Sequence, residues 1–500
     1  MITFTFEHLA EPKLQFGEYF EHQDTKTGLA ECGPFGLNVD GLHPSEIKVG
    51  FIGTRETITG AKEWIEMCSK PIESENAHIL GGTAYSDNGL FGEMPDQRFK
   101  RVYKILNHDF IGFNAESPFQ CRFQLNERWE RNLNPRIVEG ILSIDDKLTR
   151  IKELVLLISS EIQSLATTPP LPTVIVLALT DAMFELADSV SIAGNYTFNF
   201  RRAIKAKAMQ DRIPLQLLQQ RTVLGKDPKL QEKTLRAWNF CTAQYYKADG
   251  VPWRSVEVAL DTCFIGISFY VTQDSNEQRT VRASVAQAFD FMGQGLVLRG
   301  DPFIWDKEKQ GASPHLTKEA ASALMKKTLT AYLQTKGIPP KRVVVHKSSE
   351  FWGAEHGLFN ELEGFYEGID AVFSRCQVDL VALRQTGLHL FREGNYPPLR
   401  GTYFTLGEKN HYLFTQGFIP YFNTYPGSYV PEPWYIADHH GGSAPKDLFR
   451  EILTLTKMNV NNCNFADGIP ITLAFSRQIG EIMKHIPEDG VVQSLYKFYM

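Results

Sequence analysis

Apolar and polar positions follow different periods along this chain, and the changes of period mark its organisation. Between Glu56 and Cys68 the apolar residues Ile58, Ala61, Trp64, Ile65 and Cys68 have the spacing of a helix with one buried face. A longer helical stripe runs through Ile144, Leu148, Ile151, Leu154, Val155, Ile158 and Ile162. Residues 47–52 read as a short strand, and 173–179 as a continuous apolar strand of the kind buried on both faces of a parallel sheet. Pro169, Pro170 and Pro172 separate the long helix from the second run. The first half thus reads as βαβα. Residues 1–45, rich in Gly, Pro and acids, are expected to pack on something else, and 69–100 to form a long loop.

From 258 onward the pattern turns to strands, at 258–271, 281–289 and 296–299. A helix is expected over 317–334 with Thr317 as N-cap, then a strand at 342–346 and a helix over 350–362. Strands near 371–374 and 378–383, aromatic-rich strands over 403–424 and a last helix over 444–458 complete the series. Three strands, a helix, a strand and further α/β elements suit a ribonuclease-H-like mixed sheet flanked by helices.

Composition changes little in this picture. The chain has 500 residues, a formal net charge of −6, 43% hydrophobic and 22% charged residues, with no low-complexity tract. The opening MITFTFEHLAEPKL lacks the pattern of a secretory signal, and the longest apolar run, Thr173 to Leu179, is far short of a membrane span. A cytoplasmic protein with no membrane partner is expected. The seven cysteines are scattered without a CxxC pair, which supports neither a disulfide framework nor a zinc ribbon.

Charge changes it a great deal at one place. From 201 to 254 twelve Lys or Arg stand against four acids, a local excess of +8 inside an acidic chain, with Phe198, Phe200, Trp238, Tyr245 and Tyr246 among or beside them. Such an island reads as an anion site, for nucleic acid before metabolite, or alternatively as a solvated helical face. Arg201 and Lys205, four residues apart on a helix over 200–210, share a face. Ile213-Pro214 is expected to start a second helix, with Gln216 beside its unpaired N–H groups, and a third helix over 229–246 delivers Lys247. Lys205, Gln216 and Lys247 could then converge on one terminal phosphate.

These residues carry a likeness. IPLQLLQQRT at 213–222, YYKADGVPW at 245–253, CFIGISF at 263–269, VVVHKSSEF at 343–351 and above all TLTKMNVNNCNFADGIPITLAFSRQIGEI at 454–482 resemble the MID and PIWI domains of Argonautes. The opening AEPKLQFG, GLAECGPFG and KVGFIGT look like the short prokaryotic group. The resemblance implies an α/β protein with an N-terminal segment over 1–45 packing on PIWI or a partner, a Rossmann-like MID domain over 46–250 and a ribonuclease-H-like PIWI domain over 251–500. It places Arg201, Lys205, Gln216 and Lys247 at the guide 5′-phosphate site, with Mg2+ as a possible companion of that phosphate. Arg201 stands where the family has an aromatic, so Phe198 or Phe200 become the alternatives for stacking on the first base. The positions of the slicing tetrad fall on Ser268, Ser348 and Arg477, which implies an inactive nuclease; the tetrad glutamate has no assignable position. Implied partners are a guide RNA, a single-stranded target DNA and a separate APAZ-containing subunit. That subunit carries a sirtuin-like, TIR or nuclease effector, the sirtuin-like type coming first, and acts in defence against plasmids or phage.

Two rivals and several lesser candidates remain. An active metal-dependent guided nuclease would need substitute carboxylates, for which Asp261, Asp274 and Glu350 are the nearest but in the wrong register. A metabolic α/β enzyme would use the basic island for a phosphorylated small molecule. Asp438-His439-His440 is the one His-rich spot and is expected in an exposed loop; His346 is expected at a sheet end in core or cleft.

Overall fold

The computed structural model describes residues 4–74, 108–192, 196–224, 230–259, 261–273, 279–288, 295–305, 307–393, 397–427, 429–487 and 490–500. Asp274 and most of the loop expected over 69–100 lie outside them.

Strand β1 (Phe4–His8) does not belong to the first half. It pairs antiparallel with a strand some four hundred residues away, Phe4 opposite Leu406 and His8 opposite Thr402. The rest of the N-terminal segment is tied down in the same direction. Leu14–Gln15 pairs with Arg254–Ser255, and Glu11 bridges Arg400 at 2.9 Å and Lys457 at 2.8 Å. Arg400 and Lys457 are each 2% exposed, so Glu11 neutralises two cations that burial would otherwise penalise.

The first α/β unit comes next in the chain. β2 (Glu46–Gly53) leads through Thr54, whose hydroxyl caps Thr57 N–H, into α1 (Arg55–Cys68). Its further main elements are β3 (Arg122–Asn132), α2 (Lys147–Ala166), β4 (Val174–Leu179), the short α3 (Asp181–Leu186), α4 (Phe200–Ala208), β5 (Leu215–Gln219) and α5 (Lys233–Lys247). The four strands form an all-parallel sheet in the order β3-β2-β4-β5. All six residues of β4 are buried, which explains its unbroken apolar run. The order reverses between β2 and β4, the topology of Rossmann-like sheets, and ligands in such sheets lie beyond the carboxyl ends of the strands.

The second unit is built on a nine-stranded mixed sheet. Its elements are β6 (Thr262–Gln273), β7 (Arg279–Ala288), β8 (Leu296–Phe303), α6 (Lys318–Lys336), β9 (Arg342–Lys347), α7 (Glu361–Asp370), β10 (Gln377–Gln385), β11 (Thr402–Leu406), β12 (Asn410–Leu413), β13 (Trp434–His440), α8 (Pro445–Leu455) and α9 (Ile471–Met483). Strand order is β1-β11-β12-β13-β10-β9-β6-β7-β8. Among its described pairings those of β6 with β9 and β9 with β10 are parallel and the rest antiparallel, as in ribonuclease-H-like sheets. Thr317 caps α6 at one end and Gly337, at φ 72°, closes it at the other. One hydrophobic core runs through both units, joining Val49 and Trp64 to Trp238, Phe264, Phe449 and Ile471.

Several expected elements differ. The helix expected at 213 is strand β5, because the buried edge of β4 offers a parallel ladder from Ile175–Leu215 to Leu179–Gln219. A proline starts a strand as readily as a helix, and the Pro214 carbonyl accepts from Ile175 N–H at 3.0 Å. The helix expected over 350–362 begins only at Glu361: Gly357 sits at φ 61° inside a 3-10 turn, and the Asn360 side chain caps α7. Residues 371–374 close α7 and make no strand, and within 403–424 the strands of the large sheet are β11 and β12. Asp438, His439 and His440 lie on β13, not in a loop. The helix at 444–458 is α8, and α9 comes after it.

Candidate nucleic-acid interface

The geometry of α4 decides where the basic island points. Asn199 caps the helix by accepting from Arg202 N–H at 3.1 Å. Phe200, Ala203, Ile204, Ala206 and Ala208 are buried, Phe200 and Ile204 completely. Burying large apolar side chains such as these two stabilises by roughly 1.5–3 kcal/mol each and fixes the helix's rotation. Arg201 and Lys205 are thereby held outside that apolar face, where they line a cavity of about 370 Å³ with Gln216, Arg236, Asn461 and Met500.

Lys247, at the end of α5, is not on the cavity lining but is bound to Gln216, which is. Lys247 is 2% exposed, and its ammonium donates to the Leu215 carbonyl at 2.9 Å and to Gln216 Oε1 at 2.7 Å. Gln244, one turn earlier, donates to the same Gln216 oxygen at 2.9 Å. Gln216 is therefore the hub between β5 and α5. It is not beside a helix N-terminus, since no helix begins at Pro214 and Leu215–Gln219 is a strand of the β4–β5 ladder. The junction with the second unit is equally fixed: Asn239 accepts from Cys463 N–H at 2.8 Å, and Lys497 bridges Asp249 at 2.7 Å.

The island's twelve cations are not equivalent. Arg202 pairs with Glu481, Arg221 lies 3.9 Å from Glu185, and Arg254 donates to Gln15. Lys226 and Lys229 lie outside the described residues. Among the described residues, Arg201 and Lys205 have no ion pair or side-chain hydrogen bond. Burial, reinforced by the charge of Arg201, brings the Lys205 ammonium down to about 8. Burial and the charge of Lys205 hold Lys247 well below the usual lysine range. Two lysines each held down by burial and by a neighbouring cation, with no carboxylate at either among the described residues, form a site short of negative charge. A second cavity, of about 460 Å³, opens at the start of α1 but is lined by Glu56 and Glu63, and so lacks that character.

The three positions expected to replace the slicing tetrad come from neighbouring elements of the second unit. Gly266 of β6 pairs with His346 of β9, and Ser268 and Ser348 each lie two residues further on. The Ser268 hydroxyl donates to the Ser476 carbonyl at 2.6 Å, which sets Arg477 one residue away on α9. A Cβ on Gly266 would stand 1.9 Å from the Thr472 carbonyl oxygen, so glycine is what lets α9 cross the sheet here. Arg477 is exposed. Nearby carboxylates are engaged elsewhere: Glu350 with Arg384 at 3.2 Å, Asp261 with Lys341 at 2.8 Å, and Glu361 with Lys347 and His315. His346 is buried, hydrogen-bonded to the Thr472 hydroxyl at 2.9 Å, and brought down to about 3 by burial and the charge of Arg342. His439 contacts Asp379 at 2.9 Å and His440 contacts Asp438 at 3.0 Å. Among the described residues no three His, Cys, Asp or Glu side chains are grouped as metal ligands, and no helix is long and apolar enough to cross a membrane.

No family model and no curated protein matches the sequence. Solved structures do match the fold. Clostridium butyricum Argonaute bound to a guide DNA and a 19-mer target DNA superposes over 99% of this chain and 54% of its own, with a TM-score of 0.60 and 14% identity. Aa-Ago with externally bound siRNA gives 98% and 56%, a TM-score of 0.57 and 13% identity; A. aeolicus Argonaute gives 98% and 54%, 0.56 and 13%. The chain spans about half the length of these proteins, and across that span it has an Argonaute-like fold.

Proposed function

We propose that this protein holds a guide strand by its 5′ phosphate and presents it for pairing with a target, without cutting that target. The observation that carries the reading is the pair Arg201 and Lys205, cations without a carboxylate partner among the described residues, lining one cavity with Gln216, to which the buried Lys247 is bound. A terminal phosphate brings about −1.5 to −2 charges near neutrality and acceptor oxygens suited to these donors. Arg201, Lys205 and Lys247 hold the phosphate, and Gln216 positions Lys247. Sequence specificity then comes from base pairing, the protein reading only the backbone and the end of the guide.

Following the resemblance, the guide is RNA and the target single-stranded DNA. Output passes to an APAZ-containing effector subunit, sirtuin-like, TIR or nuclease, that acts against plasmids or phage. The absence of slicing is supported by chemistry: two hydroxyls and an arginine stand where two divalent ions would need carboxylates. A Mg2+ ion at the phosphate would find no side-chain carboxylate among the lining residues, only the neutral oxygens of Gln216, Gln219, Thr222, Gln231, Asn239 and Asn461, of which that of Gln216 already accepts from two donors and that of Asn239 from Cys463 N–H. These residues fit Mg2+ poorly, and the cations balance the phosphate.

The test is affinity for 5′-phosphorylated against 5′-hydroxyl oligonucleotides, RNA and DNA, with and without EDTA. A preference for the phosphate that survives EDTA is expected; equal affinity would overturn the reading. Incubation of the guide-loaded protein with labelled target and Mg2+ or Mn2+ is expected to leave the target intact.

A further inference from the structure

The two ends of the nine-stranded sheet are finished differently. Strand β8, at one end, carries Asp301 and Pro302, and its start is covered by the Ser494 carbonyl, which accepts from Val297 N–H at 2.6 Å. Charges, prolines and covering chain are what keep a sheet edge from pairing with a further strand. Strand β1, at the other end, is a regular partner of β11 from Phe4–Leu406 to His8–Thr402, without a bulge, a lysine or a proline. Its one carboxylate, Glu7, is paired with Lys446. Among the described residues no strand lies on its outer side. Leu9 N–H donates to the Gly401 carbonyl at 2.9 Å, so by alternation Glu7 and Thr5 turn their backbone groups toward β11 and Phe4, Phe6 and His8 turn theirs outward. Phe4 is 44% and Phe6 58% exposed, and both rings lie 5.7 Å from that of Phe404, which stacks on Tyr412 at 4.8 Å. An aromatic row thus runs out to an open edge.

We propose that the outer edge of β1 is the interface between two copies of this chain, the two strands pairing antiparallel about a two-fold axis with Phe4 of each copy opposite Phe6 of the other and Thr5 opposite Thr5. A two-fold interface needs a surface that complements itself, and an edge whose exposed large side chains are both phenylalanine does. Register follows the apolar pattern, and this register gives every outward ring an aromatic partner, whereas pairing centred on Phe6 would set Phe4 opposite His8. It also sets no like charges opposite one another within the described strand. Size decides how strong the pairing is. At about 200 Å² for a whole phenylalanine, the exposed fractions of four rings come to about 400 Å². Even with the strand edges added, that falls short of the roughly 1,200 Å² at which stable interfaces begin, so the dimer is reversible and grows with concentration. The inference goes beyond the guide reading and uses none of the residues assigned to the phosphate.

The experiment is sedimentation equilibrium of the untagged full chain from about 5 to about 200 μM, where the weight-average mass is expected to rise from that of one chain toward that of two. Phe6→Lys puts a charge on the edge and is expected to raise the concentration of half-association at least about tenfold, its folding being checked by thermal melting. Cross-linking reads the register. Facing Cα atoms of a non-hydrogen-bonded antiparallel pair stand about 4.5 Å apart, within reach of a disulfide. Thr5→Cys treated with glutathione disulfide is expected to give a covalent dimer, whereas Glu7→Cys, four residues out of register with its own copy, and wild-type protein are expected to give none. A chain that stays monomeric across the range overturns the proposal and leaves the edge to a different polypeptide. A dimer that Phe6→Lys does not weaken, or Thr5→Cys cross-linking no better than Glu7→Cys, overturns it as well. Each of these results is independent of whether a 5′ phosphate is preferred, so this proposal and the guide reading fail separately.

Discussion

The affinity of the phosphate site should depend steeply on pH above neutrality, and Lys205 supplies the reason. Its ammonium titrates at about 8, lowered by burial and by Arg201. A guide 5′ phosphate loses its second proton near pH 6, so its own charge changes little from pH 7 upward. The free site therefore carries Lys205 about nine-tenths protonated at pH 7 and about one-tenth at pH 9. An incoming dianion restores the charged form, so binding takes up a proton. The association constant for a 5′-phosphorylated DNA should then fall about tenfold between pH 7 and pH 9, about 1.4 kcal/mol. The assay is fluorescence anisotropy at constant ionic strength, with the 5′-hydroxyl strand as control, which should show a much shallower profile. Lys205→Arg keeps a permanent cation and should flatten the profile. Any slope left in that variant belongs to Lys247, which burial and the charge of Lys205 also hold low. A flat wild-type profile, or a Lys205→Arg slope equal to wild type, would refute the reasoning.

Three more outcomes rest on packing and burial. Lys247→Ala removes the donor to the Leu215 carbonyl and one of two donors to Gln216 Oε1, so urea unfolding should show a loss of about 1–3 kcal/mol together with weaker binding of phosphorylated guides. Gly266→Ala drives a methyl into the Thr472 carbonyl and should cost about 3 kcal/mol, read as a lower denaturation midpoint at unchanged m-value. His346 stays neutral in the fold to about pH 3 while the unfolded chain takes its proton near pH 6.5; stability is present above pH 6.5 and lost as pH falls below it, by about 3 kcal/mol at pH 4. His346→Gln should show a shallower acid profile than wild type in the same unfolding assay.

Much of the fold is legible where burial is regular. The runs at 47–52 and 173–179 coincide with β2 and β4, and the Ile144–Ile162 stripe lies mostly on α2, because each element buries a face of constant period. Elements that depend on pairing over distance stay hidden. β1 has every residue exposed and holds its strand conformation only by lying along β11. β5 carries the pattern Leu-Gln-Leu-Leu-Gln, compatible with either period, and the edge of β4 decides it. Asp438, His439 and His440 look like a polar loop, yet His439 is drawn onto β13 beside Asp379. Burial works against that Asp379 carboxylate, but hydrogen bonds from His439, Ser443 and Arg342 outweigh it and hold it below the usual range.

The candidate site shows the same division and sharpens what its charge means. The sequence displays a basic excess over 201–254 but not which members of it are paired with acids, because those acids, Glu481 and Glu185 among them, reach it from other elements. Of the cations that remain when such pairs are subtracted, Arg201 and Lys205 are the two on α4 that line the cavity, and the helical spacing alone puts them on one face. Spacing does not reveal that Lys247 is buried rather than exposed, nor that Gln216 holds it in place. It does not reveal Phe184 either, over whose ring the Arg201 guanidinium lies, because nothing in α3 marks a ring as a support for an arginine seventeen residues further on. The departure at Arg201 from the aromatic expected there thus has a structural complement: the ring is present, one layer deeper, behind a guanidinium instead of in place of it. A site arranged this way carries an extra cation beside Lys205, and Arg201→Ala should weaken binding of 5′-phosphorylated strands more than of 5′-hydroxyl strands, read by the same anisotropy titration.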